Sequence, residues 1–184
     1  MARLAVLMLA LACALSPLSC STPKTAKATK TVKPAASAAA AKAGFERLAT
    51  LQGDWVGEGP ADVPGPMTVN YKLTGGGSAL VETLFAGTPE EMVSIYTVED
   101  GELVLTHYCM LGNQPRMRAE PLQGDVLSFH FVGGANIDPT RDEHMHDARF
   151  EFVSKDELIT QWTGWSDGHP DTEHVARLHF TRKS

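Results

Sequence analysis

The stretch Met92-Val93-Ser94-Ile95-Tyr96-Thr97-Val98-Glu99-Asp100-Gly101-Glu102-Leu103-Val104-Leu105-Thr106-His107-Tyr108-Cys109-Met110 decides the fold. It is two runs rich in β-branched and apolar residues, joined by Asp100-Gly101. An Asp-Gly pair suits a tight hairpin turn, whose central residues need positive φ. The pattern predicts strands over 92–98 and 103–110 with a hairpin between them. Alternation places Leu103, Leu105, His107 and Cys109 on one face. Two polar side chains then share a face with two leucines, which makes this hairpin a question about function as well as fold.

The same period of two continues on both sides. Strands are expected over 55–57, 67–73, 79–85, 116–120, 126–132, 145–153, 158–165 and 173–180. Gly75-Gly76-Gly77, Gly124-Asp125, Asp156 and Asp167-Gly168 punctuate them. No long helix and no strand–helix–strand period is present. The fold class is therefore all-β: an antiparallel meander of about ten strands. Closure into a barrel is favoured over a two-sheet sandwich, because it removes exposed edges. One short helix is expected over 45–51, where Phe45, Leu48, Ala49 and Leu51 have roughly helical spacing before Gly53. Alternation also turns Leu127, Phe129 and Phe131 inward and His130 outward. His146, Ala148, Phe150 and Phe152 form another face, and His174, Ala176, Leu178 and Phe180 the last.

The chain has 184 residues, 16 of them basic and 22 acidic. Six basic residues and no acidic ones fall in positions 1–43. The remainder holds ten basic residues against twenty-two acidic ones, a balance of −12 with histidine neutral. Such a surface repels phosphate backbones, so nucleic acid is not an expected partner. Arg3 precedes a Leu/Ala run over 4–18 that falls short of the roughly 20 apolar residues of a membrane span. Residues 1–20 are expected to be an export signal. Cys20 follows Pro17-Leu18-Ser19 and precedes a polar tail, an arrangement that resembles the lipobox of bacterial lipoproteins. The resemblance implies lipidation at Cys20, with Cys13 the competing position. It implies a location on the periplasmic side of a bacterial envelope, tethered to the membrane by an N-terminal lipid. A soluble periplasmic or secreted protein is the alternative. Residues 21–43 are Ala, Thr, Ser, Pro and Lys, with little to bury, and are expected to be a tether, with a local helix over 35–43 as the alternative that alanine's propensity offers. The folded domain is expected over 44–184. With Cys13 and Cys20 set aside, only Cys109 remains, so no disulfide framework supports the domain.

Gly53-Asp54-Trp55-Val56-Gly57-Glu58-Gly59 resembles the Gly-x-Trp-x-Gly-x-Gly opening of calycin-type barrels, the lipocalin and fatty-acid-binding superfamily. The run at 107–116, with His107, Tyr108, Cys109 and Gly112-Asn113-Gln114-Pro115-Arg116, adds to this. So do His144-Met145-His146-Asp147 and Trp162-Thr163. Together they resemble an uncharacterised bacterial family of secreted lipocalin-like β-barrel proteins over nearly all of 45–183. The resemblance implies a barrel with an internal cavity and names no ligand. There is also a faint similarity to nitrobindin-like haem barrels, which implies His174 as an axial ligand. The Gly-rich opening departs from that group at Pro60-Ala61.

The candidate site residues follow from these faces. His107, Cys109, Asn113, Gln114, Arg116, His146 and Trp162 are the expected ligand-binding set: apolar wall residues for contact, polar ones for orientation. The ligand expected is a small, partly apolar amphiphile. His107, Cys109, His144 and His146 offer donors suited to zinc or copper, although no Cys-x-x-Cys or His-x-x-x-His spacing is present. The alternative is thus a metal- or haem-binding barrel. A small hydrolase or isomerase using cavity histidines ranks third, since no cysteine-hydrolase pattern surrounds Cys109.

Overall fold

The computed structural model describes residues 35–58 and 65–184. The expected export signal, Cys20 and most of the expected tether lie outside the described residues. The side chains of Ala35, Ala36, Glu173 and His174 lie outside them too.

Ten antiparallel strands close into a barrel. They are β1 (Gly53–Glu58), β2 (Pro66–Thr74), β3 (Ala79–Leu84), β4 (Met92–Glu99) and β5 (Glu102–Tyr108), then β6 (Gln114–Ala119), β7 (Val126–Ala135), β8 (His144–Ser154), β9 (Glu157–Ser166) and β10 (His169–Arg182). Each strand pairs with its neighbour in sequence, and β1 pairs with both β2 and β10. Among the described residues the barrel therefore has no free edge. Asp100 and Gly101 have φ of 48° and 80°, and Asp167 and Gly168 have 52° and 80°. Both pairs take the left-handed conformations that a two-residue hairpin demands. At the seam between β1 and β10, a Cβ on Gly57 would lie 2.2 Å from the His179 carbonyl oxygen. Only glycine allows that approach.

The helix, α1, runs from Ala35 to Ala49. It starts ten residues earlier than the expected 45–51, so its first nine residues belong to the stretch expected to be tether. The reason is packing by small residues rather than by large apolar ones. Ala41, Gly44, Leu48 and Leu51 are all buried. A Cβ on Gly44 would stand 2.9 Å from Leu103 Cδ2 and 3.4 Å from Leu127 Cδ1. Alanine favours the helix, and a smooth face lets it lie close over the barrel end.

That end is sealed. Trp55 is 1% exposed, and its indole N–H donates to the Leu51 carbonyl at 2.7 Å. The Arg182 guanidinium lies 4.3 Å from the centre of the Trp55 ring. Arg182 also donates to the carbonyls of Gln52, Thr50 and Lys155. One cation thus joins the helix C-terminus, the β8–β9 turn and the final strand. Leu80, Tyr96, Leu105, Met117, Phe129, Phe150 and Leu158 fill the middle of the barrel.

Candidate ligand-binding site

At the end opposite α1 the core stops short and leaves a cavity of about 630 Å³. The start of β2, the end of β3, the start of β4 and the end of β5 form one side. Met145, Trp162, Ala176 and Leu178 from β8, β9 and β10 form the other. The wall is largely apolar, and Met67, Met92, Met110 and Met145 all contribute. Methionine is unbranched and polarizable, so such a wall adapts to varied shapes. The volume falls within the 300–1,000 Å³ or so usual for small-molecule pockets. His107 is the polar side chain deep in the wall, and Glu90 and Thr88 lie near the rim.

His107 belongs to a row of polar side chains running sideways around the barrel. Register pairs Tyr71 on β2 with Glu82 on β3, Glu82 with Ser94 on β4, and Ser94 with His107 on β5. All four are no more than 2% exposed. The Tyr71 hydroxyl donates to Glu82 Oε1 and the Tyr96 hydroxyl to Oε2, each at 2.7 Å. Ser94 also acts favourably on the Glu82 carboxylate. Ser94 Oγ stands 3.0 Å from His107 Nδ1. Among the described residues Glu82 has no ion-pair partner. Two phenol hydroxyls, one on each carboxyl oxygen, stand where a cation would. Burial pushes the Glu82 carboxyl above its ordinary pKa, and hydrogen bonds from Tyr71, Tyr96 and Ser94 work against that rise. Burial lowers the pKa of His107 to about 4, so its ring is neutral at neutral pH. Burial and the facing Glu82 hold the Tyr71 and Tyr96 phenols well above the usual value, so both remain donors.

Nδ1 of His107 is therefore engaged, and Nε2 has no hydrogen bond among the described residues. The ring packs against Trp162, with centroids 5.1 Å apart. His107 thus stands in the cavity wall with Nδ1 held by Ser94 and its ring against Trp162.

The remaining expected residues have other surroundings. Cys109 is buried, with burial raising its thiol pKa, and does not line the cavity. The Asn113 amide donates to the Glu143 carbonyl at 2.7 Å, tying the β5–β6 loop to the β7–β8 connection. Gln114 donates to the Gly112 carbonyl and accepts from Asn136. Arg116 pairs with Glu99 on the outer surface. His146 occupies a bulge in β8, where the register slips between Met145 and Asp147. The slip turns Met145 to the cavity. It leaves His146 stacked on Trp165 at 4.4 Å and beside Phe131 at 5.1 Å. His144 joins that ring cluster, with its Nε2 3.1 Å from His146 Nδ1. Among the described residues, no group of three or more His, Cys, Asp or Glu side chains is placed to hold a metal ion. Of the expected zinc or copper set, His144 and His146 adjoin each other, while His107 stands in the cavity wall. The backbone of His174 lies in β10, where the register shifts between Asp171 and Val175.

Sequence reasoning missed Tyr71, Glu82, Ser94 and Tyr96. A signal was present: Leu80, Glu82 and Leu84 alternate on one face, as do Met67, Val69 and Tyr71.

Fold and site together define a class: a closed ten-stranded antiparallel barrel, capped by a helix at one end and open to an apolar cavity at the other. No family model matches the chain, and no curated protein matches it. Among solved structures it is similar to a protein of unknown function of the DUF3598 family from Nostoc punctiforme, with 11% identity and a TM-score of 0.48. The match covers 74% of this chain and 48% of that one, so the chain spans about half the length of that protein. No helix among the described residues is long and apolar enough to cross a membrane.

Proposed function

We propose that the barrel binds a small, largely apolar molecule in the cavity at its open end, with His107 as the polar contact. The carrying observation is the cavity of about 630 Å³ with a mostly apolar wall and one anchored histidine in it. A solid core would need to bury His107 against a partner on both nitrogens or lose about 1–3 kcal/mol. A cavity that admits a ligand removes that demand. The calycin-like opening at 53–59 supports a lipocalin-like carrier or sensor. In this reading Cys20 carries a lipid, and the domain works beside a membrane on the periplasmic side of the envelope. Nucleic acid plays no part.

Trp162 provides the test, because it forms part of the cavity wall. Protein purified without detergent is titrated with a series of alkylbenzenes and medium-chain amphiphiles, following tryptophan emission and native mass spectra. One-to-one saturation that His107→Ala or Trp162→Phe weakens supports the reading. Unmoved emission and no bound species across the series would overturn it.

A further inference from the structure

We propose that the cavity selects ligands whose polar end is a neutral hydrogen-bond donor, such as a phenol or an N–H group, over carboxylates and ethers. The Tyr71–Glu82–Ser94–His107 row presents His107 Nε2 to the ligand as a bare acceptor. The inference deepens the ligand-binding reading and rests on it.

Tyr71 and Tyr96 each carry one hydroxyl proton, and both are directed at Glu82. Ser94 lies between Glu82 on one side and His107 on the other. An ionised Glu82 attracts the Ser94 proton as well. Ser94 Oγ is then an acceptor toward His107, and the proton of the neutral imidazole must sit on Nδ1. Nε2 is left with its lone pair toward the cavity. A protonated Glu82 would reverse the row. Glu82 would donate to Ser94, Ser94 to Nδ1, and Nε2–H would face the ligand. A phenol hydroxyl donating to each of the two carboxyl oxygens matches the ionised form.

The field at the site points the same way. The groups facing the row are Tyr71 from β2, Ser94 and Tyr96 from β4, and Trp162 from β9. Glu90 lies at the rim. Among the described residues lining the cavity there is no lysine or arginine. An anionic headgroup would meet Glu82 behind His107 and Glu90 at the entrance, with no counter-charge. A donor without charge pairs with Nε2 and loses nothing.

The experiment uses three ligands of one shape: 4-hexylphenol, its methyl ether and 4-hexylbenzoate. Each is titrated into the full chain at neutral pH. The phenol should bind about tenfold more tightly than the ether, the worth of one neutral hydrogen bond, and the benzoate most weakly. In Glu82→Gln the side-chain amide donates to Ser94 and fixes the reversed row. The phenol's advantage should vanish there, and the benzoate should rank first. Equal binding of all three to the wild type, or a preference for the benzoate, overturns the proposal while leaving the cavity a ligand site. Failure of all three to bind overturns the ligand-binding reading itself. Nitrogen-15 chemical shifts of the His107 ring give a readout that needs no variant. An unprotonated Nε2 at neutral pH is expected, and a protonated Nε2 would overturn the proposal even if Glu82→Gln does not fold. Acidification through the Glu82 pKa should move the proton from Nδ1 to Nε2.

Discussion

The two ends of this barrel are built from the same ten strands and solve opposite problems. The helix end is filled by a rigid aromatic, Trp55, held by a hydrogen bond from its indole and by Arg182 over its face. The other end is lined by flexible methionines and one oriented imidazole, with space left between them. Rigid, fully partnered side chains make the closed end a source of stability. Adaptable side chains and an imidazole nitrogen with no hydrogen bond among the described residues suit the open end to the binding proposed above. Stability and the proposed recognition are thus assigned to opposite ends of the barrel, and single substitutions should tell them apart.

The largest effect is expected at the closed end. Trp55→Ala should lower the unfolding free energy by about 3–5 kcal/mol, the usual cost of removing a large buried aromatic. Urea titration measures it. Affinity for an apolar ligand under native conditions should change little. A parallel collapse of affinity would show that the two ends are coupled.

Acid should next reveal the cost of burying His107. Its folded pKa of about 4 lies below the ordinary 6.5. The stability gained by keeping it neutral is complete above pH 6.5 and is lost as pH falls toward 4, up to about 3 kcal/mol. Glu82 has the opposite sign. Its folded pKa is raised from 4.5, so its contribution is present below pH 4.5 and fades as pH rises through the folded value. Urea midpoints between pH 4 and 7 should therefore fall more steeply with acid in the wild type than in His107→Phe. Equal slopes would remove His107 from the account.

Tyr71→Phe and Tyr96→Phe should each cost about 1.5–3 kcal/mol, because each removes a donor to a buried carboxyl. The double variant should depart from additivity, since both hydroxyls serve Glu82. A neutral result would mean that Glu82 is not ionised in the wild type. The smallest effect belongs to the rim. Met110 lines the cavity yet is 64% exposed, so Met110→Ala should alter stability by no more than about 0.5 kcal/mol. Its effect should be confined to ligand affinity, measured in the same titrations.

The architecture was legible because alternation and turn chemistry are local. Leu103, Leu105 and His107 could be assigned to one face, and Asp100-Gly101 to a hairpin, from neighbours in sequence alone. The barrel of about ten strands followed from counting such segments. The helix start was legible only as the alternative reading of 35–43 from alanine's propensity, because Ala41 and Gly44 contribute by being small and composition does not report a close fit. The polar row was not legible. Tyr71, Glu82, Ser94 and His107 come from four strands, and only the register of three ladders sets them side by side. His146 illustrates the limit of alternation: one bulge between Met145 and Asp147 turns Met145 to the cavity and moves His146 into a separate ring cluster.

The seam between β1 and β10 also governs the order of assembly. Thr181 Oγ1 donates to the Val56 carbonyl across 125 positions of chain. Gly57 packs its backbone against His179 there. A chain still lacking β10 can pair nine strands but leaves β1 and β9 with bare edges, the surfaces most prone to join another molecule. Closure between elements so far apart in sequence is entropically slow. Arg182 can lock Trp55 only after that closure. Any state of the domain with its last strand unplaced would therefore expose two edges at once.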